Sequence, residues 1–286
     1  VNSIQIQRLV FFCLTILATL ISMLIDSLDP LYKLLFITSL VLFLGVPHGA
    51  LDLVFAKQLF LINGWQSWLK FTITYLALSL SVVIVWWHFS MSFMVSFLLL
   101  SMLHFSRDLI LTRLKITRFL YGGAIIVLPT ILHSDQMTSL FALILNEEMG
   151  QQITSFLKLI ALPWLISSVA CFCIEWIENK SASLELFSVC YLAVLAEPLI
   201  GFAIFFCGMH SYRHILRTQH YSKLSFKQLL IISLAPMIGT ILLAATGWFY
   251  LPPSPNYPRI TQFLFVTLGA LTLPHMLLID RIKFIQ

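Results

Sequence analysis

The chain has 286 residues, of which 59% are hydrophobic and only 10% charged, against roughly 25% charged in an ordinary soluble domain. Its formal net charge of +5 is small and sits in the loops, which argues against a nucleic-acid-binding surface and for a membrane topology signal. Apolar runs of about 20 residues, the length that crosses a bilayer core as helix, recur from end to end and leave no stretch for a soluble domain. The expected fold class is all-α, a polytopic transmembrane helix bundle forming one domain over 1–286.

Taken in chain order, the predicted spans are 9–25, 31–55, 68–87, 91–105, 119–132, 153–177, 184–210, 229–251 and 260–279. The first lacks a small-residue cleavage site after it and reads as a spanning helix rather than a signal peptide. Asp26, Asp29 and Pro30 separate the first two spans, Asn63-Gly64 precedes the third, and Pro252, Pro253, Pro255 and Pro258 precede the last. Five cysteines (Cys13, Cys171, Cys173, Cys190 and Cys207) fall inside apolar segments without metal-finger spacing, and are expected to be small buried hydrophobes.

Nine plain crossings conflict with the charges. Lysine and arginine collect on the cytoplasmic side, yet nine crossings put Arg107, Arg113, Lys115 and Arg118 on the face opposite Arg213, Arg217, Lys223 and Lys227. The groups share a face only if 133–210 crosses an odd number of times. Either the apolar piece 140–145 or the run 184–210, interrupted by Glu197-Pro198, can hold the extra reversal. Eight or ten crossings are therefore expected, with both termini cytoplasmic.

That parity sorts the eight histidines. His48, His104, His210, His214 and His275 come near the cytoplasmic ends of their helices, His88 and His133 near the other face, and His220 in a basic loop. GVPHGALD sets His48 and Asp52 four apart, HFSRD does the same for His104 and Asp108, and HSYRH for His210 and His214. Residues four apart share one helix face, so the paired histidines can hold one ion. A carboxylate one turn from a histidine either orients that ring or fixes a neighbouring helix. HMLLID sets Asp280 five after His275. Neutral imidazoles without thiolate suit iron, copper or zinc by ligand type. Glu197, beside Pro198 in an apolar run, is the other costly group. It caps a helix break, pairs with a cation, or supports the metal ligands from behind.

Through GVPHGALD, HFSRD and HSYRH together, the sequence resembles the Brp/Blh family of bacterial and archaeal membrane proteins, β-carotene 15,15′-dioxygenases that make retinal for microbial rhodopsins. The resemblance implies an Fe(2+) cofactor held by His48, His104, His210 and His214, with Asp52, Asp108, Glu197 and His275 as candidates to support those ligands. It implies β-carotene and O2 as substrates, two retinal molecules as product, and a multi-pass protein of the cell membrane with a functional link to a rhodopsin. Ser106 stands where the family often has glycine after HF.

Other functions fit less well. Di-iron lipid desaturases need about eight histidines in boxes that include H-x-x-H-H, whereas this chain has one H-x-x-x-H and no adjacent pair. A transporter with a His/Asp relay predicts titratable groups spread through the membrane depth. A retinal-binding photoreceptor needs a mid-helix lysine, and Lys70, Lys158 and Lys283 lie at the starts or beyond the ends of spans.

Overall fold

The computed structural model describes residues 3–25, 29–109, 112, 114–250 and 256–282. Asp26, Arg113, Pro252, Pro253, Pro255 and Lys283 lie outside them. The helices are α1 (Ser3–Ile25), α2 (Pro30–Leu40), α3 (Pro47–Ala50), α4 (Asp52–Leu59), α5 (Trp65–His88), α6 (Ser90–Phe105), α7 (Lys115–Val127), α8 (Ser134–Ile144), α9 (Glu147–Glu178), α10 (Lys180–Leu195), α11 (Pro198–Ile204), α12 (Tyr212–Ser222), α13 (Phe226–Tyr250) and α14 (Asn256–Ile279). There is no strand among the described residues.

Local chemistry sets the boundaries. Asp29 accepts a hydrogen bond from the Leu31 amide ahead of Pro30 and starts α2. Asn146 and Asn179 do the same for α9 and α10, satisfying amides that lack an intrahelical partner. Two π-helical turns, Val41–Gly45 and Phe205–Ser211, join α2 to the short α3 and α11 to α12. Such turns carry an extra residue and cluster at functional sites.

Among the described residues, seven helical runs are long and apolar enough to cross a membrane. The pair α7–α8, bent by 110°, makes an eighth if taken as one span. This is the low end of the expected eight to ten, because α6 and α10 each have 16 residues and fall short of full length.

The predicted span 184–210 is corrected. It is a hairpin of two antiparallel helices that turns at Ala196 and Glu197. Arg213 on α12 reaches Glu185 on α10, and a Cβ on Gly201 would lie 3.6 Å from the Leu192 carbonyl. Pro198 starts the returning helix at the one position where its missing N–H is harmless. This reversal brings the two basic groups to the same end of the bundle, where Arg217 donates to the Arg107 and Asp108 carbonyls.

Those basic residues are not all free loop charges. Arg213 is 2% exposed, Arg217 pairs with Asp108 and Arg107 pairs with Asp280. Lys115, Lys223 and Lys227 remain exposed. The cysteines also divide. Cys171 is buried as expected, but Cys13 and Cys173 are exposed on α1 and α9, where an outward-facing thiol replaces one more apolar group.

Helices α6 and α7 approach closely near the site, where Gly122 faces the end of α6. A Cβ on Gly122 would lie 2.2 Å from the Met102 carbonyl oxygen and 2.5 Å from the Ser106 amide. Neither can yield without moving the end of α6 that carries His104. Replacing Gly122 with alanine should destabilise the protein by about 1–3 kcal/mol through overpacking, read as a lower melting midpoint in detergent.

Candidate metal centre

The five histidines predicted to share one membrane depth form one buried cluster. His48 comes from α3, His104 from the end of α6, His210 from the second π turn, His214 from α12 and His275 from α14. Each is at most 7% exposed. The His48 ring lies edge-on at 4.9 Å from His210, 5.2 Å from His275 and 5.6 Å from His214, measured between centroids. His104 lies 4.6 Å from His210 and 5.1 Å from His275. His88 closes α5 and His133 precedes α8, both outside the cluster, and His220 is exposed on α12.

The backbone around His48 explains its pose. Pro47 has no N–H to give the preceding turn, and Gly45 sits so close to Phe206 that a Cβ would fall 2.4 Å from its ring. The π turn ends there, and the Gly45 carbonyl accepts the His48 Nδ1 proton. Ser211 Oγ stands 3.0 Å from the same nitrogen. Gly49 faces open space and borders the adjoining cavity.

Both aspartates serve a histidine of a different helix. Asp108 Oδ2 accepts from His210 Nδ1 at 2.8 Å, and Asp52 Oδ1 accepts from His275 Nδ1 at 2.7 Å. Of the two readings of H-x-x-x-D, the structure has the cross-helix one at both places. Asp280 turns to Arg107 instead. Ser106 donates its hydroxyl to the Leu103 carbonyl at 2.6 Å, a local cap on α6.

These outer acceptors decide what the cluster can bind. Gly45, Asp108 and Asp52 hold the proton of His48, His210 and His275 on Nδ1, which leaves a lone pair on each Nε2. His104 Nε2 lies 3.0 Å from His210 Nε2. His104 Nδ1 and His275 Nε2 have no hydrogen-bond partner although both are buried. One nitrogen from each of His48, His104 and His275 lies within 4.8 Å of the other two. Nitrogens opposite one another across a single ion are about 4 Å apart. Lone pairs converging in a dry interior repel unless a cation sits among them, so the donor set fits a metal ion.

A layer of charged and polar groups braces the cluster, and apart from Arg213 within HSYRH its side chains lie outside the histidine motifs. Arg213 donates to both Glu185 oxygens, at 2.7 and 3.1 Å, to the Asp108 carbonyl at 2.8 Å and to Gln7 Oε1 at 2.9 Å. Gln7 in turn donates to the Met209 carbonyl at 2.8 Å, inside the π turn that carries His210. Arg8 completes the set by pairing with Glu185. The available signal in the sequence is a glutamate at 185 inside an apolar run, where an unpaired carboxylate is costly.

Glu197 is not near the cluster. It pairs with Lys33 at 2.7 Å, roughly 20 Å along the chain from His48 at helical rise, and its backbone amide donates to Ser22. Its placement is that of a charge pair at the tip of the α10–α11 hairpin.

A cavity of about 670 Å³ opens beside His48, His104 and His275. Phe97, Phe105, Phe141, Phe202, Phe206 and Phe265 wall it, with Asp52 and Tyr75 among its few polar groups. Leu76 on α5 and Leu242 and Leu243 on α13 line it and are themselves exposed. The cavity is therefore open rather than sealed where α5 and α13 line it.

No solved structure matches the chain. It is 30% identical over 270 residues to a β-carotene 15,15′-dioxygenase of the uncultured marine bacterium 66A03, covering 85% of this chain and 92% of that protein. The family model described as β-carotene 15,15′-dioxygenase matches residues 39–283, which include all five clustered histidines. The chain belongs to the β-carotene 15,15′-dioxygenase family.

Proposed function

We propose that this chain is an iron-dependent oxygenase of the cell membrane that cuts the central 15,15′ double bond of β-carotene with O2, giving two molecules of all-trans retinal. The observation that carries this reading is the opening of a buried imidazole cluster into a phenylalanine-walled cavity that is open along α5 and α13. His48, His104, His210 and His214 would hold the ion, and neutral imidazoles without thiolate suit ferrous iron. Cys207, the cysteine nearest that pair in sequence, turns its thiol to the Leu40 carbonyl. Bound Fe(2+) supplies the oxygen-binding and redox chemistry.

The chain's own residues do the rest. Phenylalanine faces bind a stiff polyene along its length and keep water from the cluster. The cavity wall positions one double bond beside the histidines, which is where a regioselective enzyme gains most of its advantage. Asp108 and the Gly45 carbonyl keep the His210 and His48 rings aimed inward with Nε2 bare. An apolar substrate enters sideways from lipid without crossing water. The protein acts as a single multi-pass unit, with the basic end of the bundle in the cytoplasm and a microbial rhodopsin as the consumer of its product.

Expression in a bacterial host that accumulates β-carotene tests this. Loss of colour with formation of retinal is expected. Retained colour and no retinal, with folded and iron-loaded protein verified, would overturn it.

A further inference from the structure

Four of the clustered rings come from the motifs that carry the family resemblance, and His275 does not. Its environment is nonetheless built like theirs. It is 3% exposed, its ring lies 5.1–5.3 Å from those of His48, His104 and His214, and its Nδ1 is held by Asp52. The opposite nitrogen, Nε2, is buried without a hydrogen-bond partner. Among the described residues, His275 is one of the three whose ligand nitrogens come within 4.8 Å of one another.

Two roles are open to such a ring. A structural latch between α4 and α14 needs only the Nδ1–H and the Asp52 carboxylate. It gives no reason to leave the opposite nitrogen buried without a partner beside the His48 and His104 imidazoles. A metal ligand needs both: a carboxylate behind the ring fixes the tautomer and raises the basicity of the nitrogen in front. Asp52 is itself fixed, because its second oxygen accepts from the Tyr75 hydroxyl at 2.9 Å. Tyr75, Asp52 and His275 all border the cavity.

We infer that His275 is a fifth imidazole ligand of the metal centre, with Asp52 and Tyr75 as positioning residues that run from the cavity wall to that ring. This rests on the proposed metal centre, and the two can fail separately. The test uses full-length protein in detergent, prepared metal-free and titrated with Fe(2+) against a competing chelator. Wild type, His275→Gln, Asp52→Asn and Tyr75→Phe are compared, with the nitric oxide adduct of the loaded protein read by electron paramagnetic resonance. Asp52→Asn should weaken iron binding about 10–100-fold, the usual cost of losing the carboxylate behind a ligating histidine. His275→Gln should weaken it at least as much and change the resonance spectrum, and Tyr75→Phe should have a smaller effect in the same direction. A His275→Gly protein should regain iron affinity in added imidazole, which a latch would not require. Melting of each metal-free variant separates lost binding from lost fold. Wild-type iron affinity and an unchanged spectrum in His275→Gln would overturn the inference, and so would a variant that fails to fold and whose glycine counterpart imidazole does not restore. A wild-type protein that takes up no iron would instead overturn the metal centre itself.

Discussion

Replacing His48 with alanine should strip iron from the protein and reduce retinal formation by more than about 100-fold, because changes one layer behind a ligand already cost 10–100-fold. His48 is the hub of the cluster. Its ring meets those of His210, His214 and His275 and the ring of Phe206, at centroid distances of 4.9–5.6 Å. Its Nδ1 spends its proton on a carbonyl of its own helix turn, so removing the ring strands no distant charge. The metal-free fold should melt within a few degrees of wild type, which distinguishes a lost ligand from a lost structure. Alanine at His104, His210 or His214 should cost iron and activity alike, with His210→Ala also less stable because it leaves buried Asp108 without its imidazole partner. His220→Ala, exposed on α12, is the control that keeps both iron and activity. Full iron content and full activity in any one of the four variants would remove that residue from the ligand set.

The largest effect on stability is expected at Glu185. Arg213 and Glu185 are each 2% exposed, and removing one member of a buried pair leaves the other charged and without compensation, at about 3–5 kcal/mol. For a chain of this size that amounts to roughly 10 °C in melting midpoint. Glu185→Ala should therefore expel the protein from the folded pool at growth temperature, seen as loss of monodisperse protein on extraction. Arg213→Lys should not rescue function, since one ammonium cannot reproduce a fork that meets Glu185, the Asp108 carbonyl and Gln7 together. The double variant Glu185→Leu with Arg213→Met should be more stable than Glu185→Ala, because it removes both desolvated charges. A Glu185→Ala protein as stable as wild type would overturn this account of the pair, since Arg8 also rests on Glu185 and cannot compensate a second cation.

How much of this was legible in the sequence depends on the range of each interaction. Composition and apolar run length give the helical membrane class directly, since both are sums over single residues. The five histidines at one depth were legible once loop charges set the parity of crossings. The partners of those histidines were not. Asp108 and His210 are 102 positions apart, and Asp52 and His275 are 223, while each aspartate also lies one turn from a histidine of its own segment. Sequence proximity offers that pair, and packing chooses the other. The turn at Ala196 and Glu197 escaped a hydropathy reading because both arms are apolar and the break is only two residues long. Glu197-Pro198 marked the place without telling a kink from a reversal. Arg213 read as a loop charge for a similar reason: its compensating carboxylate lies 28 residues earlier.

The paired π turns have a geometric consequence for the helices that carry them. Each α-helical residue advances the side-chain direction by about 100°, so the residue that a π turn adds resets the angular phase of everything after it. In the Val41–Gly45 and Phe205–Ser211 segments, the stretch bearing the imidazoles is thus clocked separately from the stretch that packs the bundle. A single-residue deletion in either turn would leave both stretches helical and apolar, yet swing His48, or His214 and the rest of α12, more than a quarter of a circle off axis. Length in these two turns is under tighter constraint than the identity of most residues within them.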